Sequence, residues 1–196
     1  MIDAPRRSGL PRSALILASA SPQRRAILEQ LGITHEVRPA DVPELDTGPP
    51  VEVAVENAYR KAAAIAPSAP EALVLGVDTI VSLGQRIFGK PRDEAHARGT
   101  LQALVGRRHA VISGVCLIEP GKVRTSTATT FVEFRAVGER MLAWYLATGE
   151  WRGRAGAYAI QGAGAALVAG IEGDYLNVVG LPVPTLLELV PSLIVE

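Results

Sequence analysis

The chain has 196 residues, 48% of them hydrophobic, with 20 Lys+Arg against 20 Asp+Glu and a formal net charge of zero. That length supports one hydrophobic core without staples, and the single cysteine, Cys116, excludes a disulfide scaffold and fits a reducing cytosol. The charge balance excludes bulk attraction to a nucleic acid polymer or a membrane surface; three histidines and one cysteine are too few for a Cys/His zinc site, and no apolar run approaches the roughly 20 residues of a membrane span.

Arg6, Arg7 and Arg12 precede the apolar run Ala14-Leu15-Ile16-Leu17-Ala18, an arrangement that mimics a secretory signal. The run is short, and Asp3, Pro5 and Pro11 interrupt the charged part. The reading is therefore a flexible tail over residues 1–13 and one cytoplasmic domain over residues 14–196. Ala14–Ser19 reads as a buried strand. Ser21-Pro22 supplies an N-cap and a proline at the first helical position, opening a helix to about Leu31 that Gly32 stops. Thr34–Pro39 alternates as a second strand, residues 40–50 form a proline-rich loop, and Val51–Ala66 is helical.

Leu73–Asp78 reads as another buried strand, continued into a hairpin-like stretch to Phe88. Asp93 caps a helix over 94–105. Strands over 108–118 and 123–135 flank the turn Glu119-Pro120-Gly121-Lys122. A helix over 138–148 carries Met141, Leu142, Tyr145 and Leu146 at helical spacing and ends at Gly149; Trp144 and Tyr145 are expected in the core. A Gly/Ala-rich stretch (153–173) and a last helix near 184–190 follow. Short apolar runs alternating with helical patterns argue for an α/β class.

Some familiar patterns fail. Gly84-Gln-Arg-Ile-Phe-Gly89-Lys90 starts like a P-loop, but Pro91 stands where a Ser or Thr hydroxyl should hold magnesium. Gly162-Ala-Gly164 opens like a dinucleotide fingerprint and has Leu167 where the third glycine belongs. Ser113 lies inside a strand pattern without the context of a nucleophile elbow. Cys116 reads as a small buried residue, and His109 as support for the start of its strand.

Other segments carry chemistry. In Ser19-Ala-Ser21-Pro22-Gln23-Arg24-Arg25 a strand ends and a helix begins, and a helix N-terminus is a ready anion site. Two arginines in that first turn oppose the helix macrodipole, which a sequence tolerates when cations face an anionic ligand; the alternative is a capping serine with solvated arginines. In Gly76-Val-Asp78-Thr79 a carboxylate follows an apolar strand, at the carboxyl end where α/β folds place functional groups; an aspartate there can hold Mg²⁺ or activate a water, or be a turn residue. Gly89-Lys90-Pro91 holds a lysine on a stiff corner, suited to a phosphate; the alternative is a plain turn lysine. Asp41, Glu44 and Asp46 are candidates for a second metal carboxylate or solvated loop acids, and Lys61 in the helix at 51–66 reads as solvent-facing by default. Gly156-Ala-Tyr-Ala-Ile-Gln161-Gly-Ala-Gly164 packs glycines around one amide, and Gln161 can donate and accept at once, as reading a pyrimidine imide edge requires; the alternative is a glycine-rich turn with a solvated glutamine.

LASASPQRRAILEQLGI, LGVDTIV, GKPRD, GRRHAVISGV, WYLATGE, AGAYAIQGAGA and EGDYLNVVGLP follow one another from about Leu15 to Val190, and together they resemble the Maf family of nucleotide pyrophosphatases. The resemblance implies a cytoplasmic enzyme, commonly a homodimer, that cleaves a nucleoside triphosphate between its α and β phosphates with a divalent cation, Mg²⁺ or Mn²⁺. It also implies a long mixed twisted sheet with flanking helices and a deep central cleft between two lobes, related to the inosine triphosphate pyrophosphatases.

By position, Asp78 is similar to the family's general base and Glu44 to its metal partner. Ser19, Arg24, Lys61 and Lys90 match phosphate-contacting positions. Thr79 and Gln161 match the branch that hydrolyses dTTP and UTP, whereas the branch acting on 7-methyl-GTP carries Gln and Glu there. The residue after Pro22 is arginine in the first branch and tryptophan in the second; here it is Gln23, a departure that points to a pyrimidine-preferring or broadened enzyme. The expected site gathers Arg24, Lys61 and Lys90 on one side of the cleft and Glu44 and Asp78, with a metal, on the other. The competing readings are a nucleotide-sensing regulator of septum formation and a purine house-cleaning pyrophosphatase.

Overall fold

Leu15, Ile16 and Leu17 form a fully buried strand, β1 (Leu15–Leu17), and this apolar triplet organises one end of the sheet. A computed structural model describes residues 14–194, so the expected tail at 1–13 lies outside the described residues. Ser21 caps helix α1 (Pro22–Gln30) by accepting a hydrogen bond from the Arg24 backbone N–H, Pro22 opens it, and Gly32 ends it with φ +68°. β2 (His35–Val37) then pairs parallel with β1. α2 (Pro50–Ile65) follows the proline-rich loop.

β3 (Leu73–Leu83) runs through Asp78 rather than ending at it, which corrects the expectation of a carboxylate after a short strand. It turns at Gly84 (φ +60°) into β4 (Arg86–Phe88), so the pseudo-P-loop is a hairpin. Asp93 caps α3 (Glu94–Leu104), and the long hairpin β5 (Arg108–Glu119) and β6 (Lys122–Phe134) follows as expected. α4 (Glu139–Thr148) ends at the left-handed Gly149. The Gly/Ala-rich stretch holds short 3-10 turns and β7 (Val168–Glu172); α5 (Tyr175–Val179), which hydrophobic spacing did not reveal, and α6 (Val183–Leu189) close the chain.

The strand order is β2-β1-β3-β5-β6-β7, with β4 beside β3; β1 pairs parallel with β2 and β3, and the remaining pairings are antiparallel, so the sheet is mixed. Period-2 alternation gives β3 two loyalties. Val74 and Cys116 face Ala58 and Ala62 of α2, while Leu75, Val77, Val115 and Leu117 face α1 and α6 through Ile27, Leu28 and Leu186. A second core, around Leu101, Leu104, Phe134, Tyr145 and Leu167, lies under α3 and α4. These cores make two lobes. Trp144, expected in the core, is 49% exposed, whereas Tyr145, Cys116 and His109 are buried.

Candidate active site

β5 covers one edge of β3 from Val74 to Ser82. On the opposite edge β1 pairs only with Leu73–Leu75 and β4 only with Val81–Leu83. Residues 76–80 therefore present an open edge between the two short neighbours, and Asp78 and Thr79 sit in that gap. Asp78 still lies beyond the carboxyl end of β1, the position where parallel sheets expose ligand-binding groups.

Two glycines bring α2 onto this gap. A Cβ on Gly76 would stand 2.1 Å from the Ala58 carbonyl oxygen, and one on Gly114 would stand 2.2 Å from that of Ala54. With no side chain between helix and sheet, Asn57 and Lys61, one helical turn apart, reach Asp78 directly. Lys61 Nζ lies 2.5 Å from Asp78 Oδ1 and 2.6 Å from Glu44 Oε1. Asn57 Nδ2 donates to Asp78 Oδ2 at 3.0 Å, and the Asn57 amide exchanges two hydrogen bonds with the backbone of Leu45. Asn57 thus ties the Glu44 loop to β3. Sequence reasoning missed it, although its spacing four residues before Lys61 on one helix face was visible. Lys90 Nζ lies 3.4 Å from Glu44 Oε2.

These contacts correct the expected division of charge. Cations and anions alternate, Lys90–Glu44–Lys61–Asp78, rather than standing on opposite walls. Burial works to raise the Glu44 pKa, but its pairing with Lys61 and then Lys90 outweighs burial and holds the carboxyl below its usual range. Of the three loop acids considered, Glu44 alone lines the cleft.

On the opposite face of β3, Arg24 is buried and bonded to neutral oxygens. Its Nε donates to the Gly180 carbonyl (2.8 Å), Nη1 to Ser19 Oγ (2.8 Å) and Nη2 to Thr79 Oγ1 (3.1 Å). Thr79 Oγ1 also shares a hydrogen bond with Ser113 Oγ at 2.8 Å. Burial lowers the pKa of the Arg24 guanidinium, and the fields of Asp78 and Glu44 oppose that. Among the described residues no acid contacts it, which leaves its charge disposed toward an anionic ligand. Arg25, the other arginine of the turn, points away and pairs with Glu29 in solvent. Gln23 Oε1 accepts the Ser21 hydroxyl at 3.2 Å, so its amide nitrogen is the end left to meet a ligand.

Ser19, Gln23, Arg24, Glu44, Lys61, Asp78, Thr79, Lys90 and Gln161 all line one cleft of about 750 Å³. Its far wall belongs to the second lobe, where Gln161 is accompanied by Glu150, Arg152 and Arg154, which the sequence reading did not single out.

Among the described residues no group of three His, Cys, Asp or Glu side chains converges on a metal position. The donor set nevertheless fits a hard divalent cation that keeps water and takes its remaining ligands from phosphate oxygens, since such an ion needs one or two protein carboxylates and not a closed cage. Glu44 and Asp78 bring two carboxylates together on the Lys61 ammonium.

The family model of Maf-like proteins matches residues 14–193. A dTTP/UTP pyrophosphatase of Gloeobacter violaceus is 45% identical over 177 residues, covering 89% of this chain and 93% of the relative. One from Pyrococcus furiosus is 42% identical over 178 residues, covering 90% and 93%. The solved structure of a HAM1 protein from Coxiella burnetii aligns at a TM-score of 0.39 with 19% identity, over 62% of this chain and 73% of that one, a likeness too slight to argue from.

Proposed function

The chain belongs to the Maf-like protein family, and from that premise we propose that it is a nucleoside triphosphate pyrophosphatase that prefers dTTP and UTP. Residues 14–196 form its single catalytic domain, it works in the cytoplasm, and it pairs as a homodimer. The observation that carries the reading is the Lys90–Glu44–Lys61–Asp78 chain at the open edge of β3, facing the cleft that Arg24 enters from the other side.

The reaction adds water to the α phosphorus and breaks its bond to the bridging oxygen, which leaves with the electron pair on pyrophosphate. A triphosphate brings roughly four negative charges, so neutralisation and positioning matter more than covalent chemistry. Arg24, Lys61 and Lys90 bind the phosphate oxygens, with Ser19 donating beside Arg24. Held through Lys61 and Asn57, Asp78 keeps a fixed rotamer; it accepts the proton of the attacking water at Oδ2. A divalent cation, Mg²⁺ or Mn²⁺, held by Glu44 and Asp78 supplies further charge neutralisation on the phosphates when bound. Gln161 reads the base edge, while Thr79 and Gln23 flank the sugar and phosphate end.

A panel of nucleotides assayed for pyrophosphate release with Mg²⁺ and with Mn²⁺ tests this reading. UTP and dTTP should be the best substrates. A panel led by 7-methyl-GTP or inosine triphosphate would contradict the pyrimidine preference, and no release from any nucleotide would contradict the enzyme.

A further inference from the structure

The loop that carries Gln161 is fastened on one side to helix α4 and on the other to the turn just after it. Upstream, the Ala159 backbone N–H donates to the Tyr145 hydroxyl at 3.1 Å. Downstream, the Glu150 carboxylate accepts from the backbone N–H groups of Ala163 (3.0 Å) and Gly164 (3.3 Å). Tyr145 lies on α4 and Glu150 stands just beyond its end. Between these anchors Gln161 is exposed to the cleft.

The fit of the loop on the carboxylate is close. A Cβ on Gly162 would stand 2.4 Å from Glu150 Oε1, so glycine next to the reading amide is what allows the contact. The approach to the loop is also unusual, because Gly156 and Ala157 both have positive φ, +70° and +61°. For alanine that conformation is disfavoured and persists only where its surroundings hold it. Glu150 is a cleft acid with no metal or phosphate to bind in the reaction described above. Among the described residues Glu150 makes no ion pair, and in a cleft meant for a polyanion such a carboxylate repels the ligand, which argues that this one is kept for its backbone contacts.

We propose that Tyr145 and Glu150 are positioning residues for base recognition, acting through Gln161, and that α4 is the mount of the base-reading loop. The inference rests on the pyrophosphatase reading and adds how its base selectivity is held. A glutamine amide reads an imide edge only when its backbone brings it within hydrogen-bond reach, and binding at such a site is sensitive to small displacements of a positioned group. Loosening either anchor therefore weakens binding of the base and leaves binding of the phosphates intact.

The test uses Tyr145→Phe and Glu150→Gln, each close to isosteric, alone and combined with Gln161→Ala. Two quantities are read: KM for UTP, and the inhibition constant of inorganic triphosphate, which has no base. Each single variant should raise KM for UTP about ten-fold, the scale of one displaced hydrogen-bonding group, with the triphosphate constant unchanged and thermal unfolding cooperative. In the Gln161→Ala background the two substitutions should add nothing further. A parallel rise in the triphosphate constant, or an undiminished effect in the Gln161→Ala background, would overturn the mount while leaving the enzyme standing. Wild-type protein that releases no pyrophosphate from UTP would overturn the underlying reading, and the mount with it.

Discussion

Lys61 on helix α2 and Asp78 on strand β3 meet at 2.5 Å, with side chains 9% and 7% exposed. A lysine and an aspartate so deeply buried are each costly to desolvate, and either becomes a liability when the other is removed. Lys61→Met should therefore leave Asp78 a nearly bare buried charge, destabilise the fold by about 3–5 kcal/mol and abolish turnover. Urea unfolding measures the first effect and pyrophosphate release the second. Loss of turnover with unchanged stability would mean that Lys61 serves the substrate alone.

The meeting depends on the absence of two side chains. Gly76→Ala places a methyl 2.1 Å from the Ala58 carbonyl oxygen, so α2 must move off the sheet. The expected cost is about 1–3 kcal/mol, the range for overpacking. Turnover should fall more steeply than stability, because Asn57 and Lys61 travel with the helix. Denaturation midpoints and kcat, measured on the same preparation, check both.

His109 gives the fold a pH dependence of its own. It is 1% exposed, its Nε2 lies 3.0 Å from the Tyr158 hydroxyl, and burial lowers its pKa from 6.5 to about 4. Between those values the unfolded chain binds a proton that the native protein does not, so stability falls as pH drops from 6.5 toward 4. The loss is on the order of 3 kcal/mol. His109→Gln should flatten that part of the curve in urea titrations at a series of pH values.

Glu44 acts lower on the same axis. Its folded pKa lies below the ordinary carboxylate value because of Lys61 and Lys90. A depressed carboxylate contributes stability that is fully present above its unfolded pKa and disappears as pH falls through the folded one. Glu44→Gln should therefore lose stability at neutral pH and show a shallower decline below about pH 4.5 than wild type. Acid unfolding followed by circular dichroism distinguishes the two profiles.

Gln23 offers a neutral amide beside Arg24. Gln23→Arg adds a cation at the mouth of the proposed phosphate site, so KM for UTP should fall several-fold and become more sensitive to salt, as an added charge interaction is screened within a Debye length. Steady-state kinetics at low and high ionic strength provide the check. Unchanged KM at both would remove Gln23 from the substrate contacts.

Much of the fold is legible in the sequence. The Ser21-Pro22 cap, the Asp93 cap and the Gly149 stop are local signals, readable because capping depends on residues a few positions apart, and the structure has all three. β3 reads short in the sequence because a continuous apolar run carries no mark of where a strand ends. Helix α5, five residues long, is too short for a periodic pattern and is set by Asp174 capping. At the site, the sequence names Ser19, Gln23, Arg24, Glu44, Asp78, Thr79, Lys90 and Gln161, but not Asn57, Glu150, Arg152 or Arg154, and Lys61 reads as solvent-facing by default. Its burial depends on a carboxylate from the loop at 40–50 and another from β3, and on glycines 76 and 114 admitting the helix. None of that is written within any one segment. The expected two-sided charge distribution failed for the same reason: sequence gives the signs of charges and not their neighbours.

The most direct test of the central claim is pyrophosphate release from UTP by wild type and by Asp78→Asn, with folding of both verified by thermal unfolding. Asparagine keeps the shape and the Lys61 side's hydrogen-bond acceptor but loses the charge proposed to receive the proton. Wild type should release one pyrophosphate for each UMP formed, and Asp78→Asn, folded, should fall by at least about a thousand-fold, on the scale of removing a general base. A folded Asp78→Asn protein with wild-type turnover would contradict the assignment of Asp78 and the site built around it.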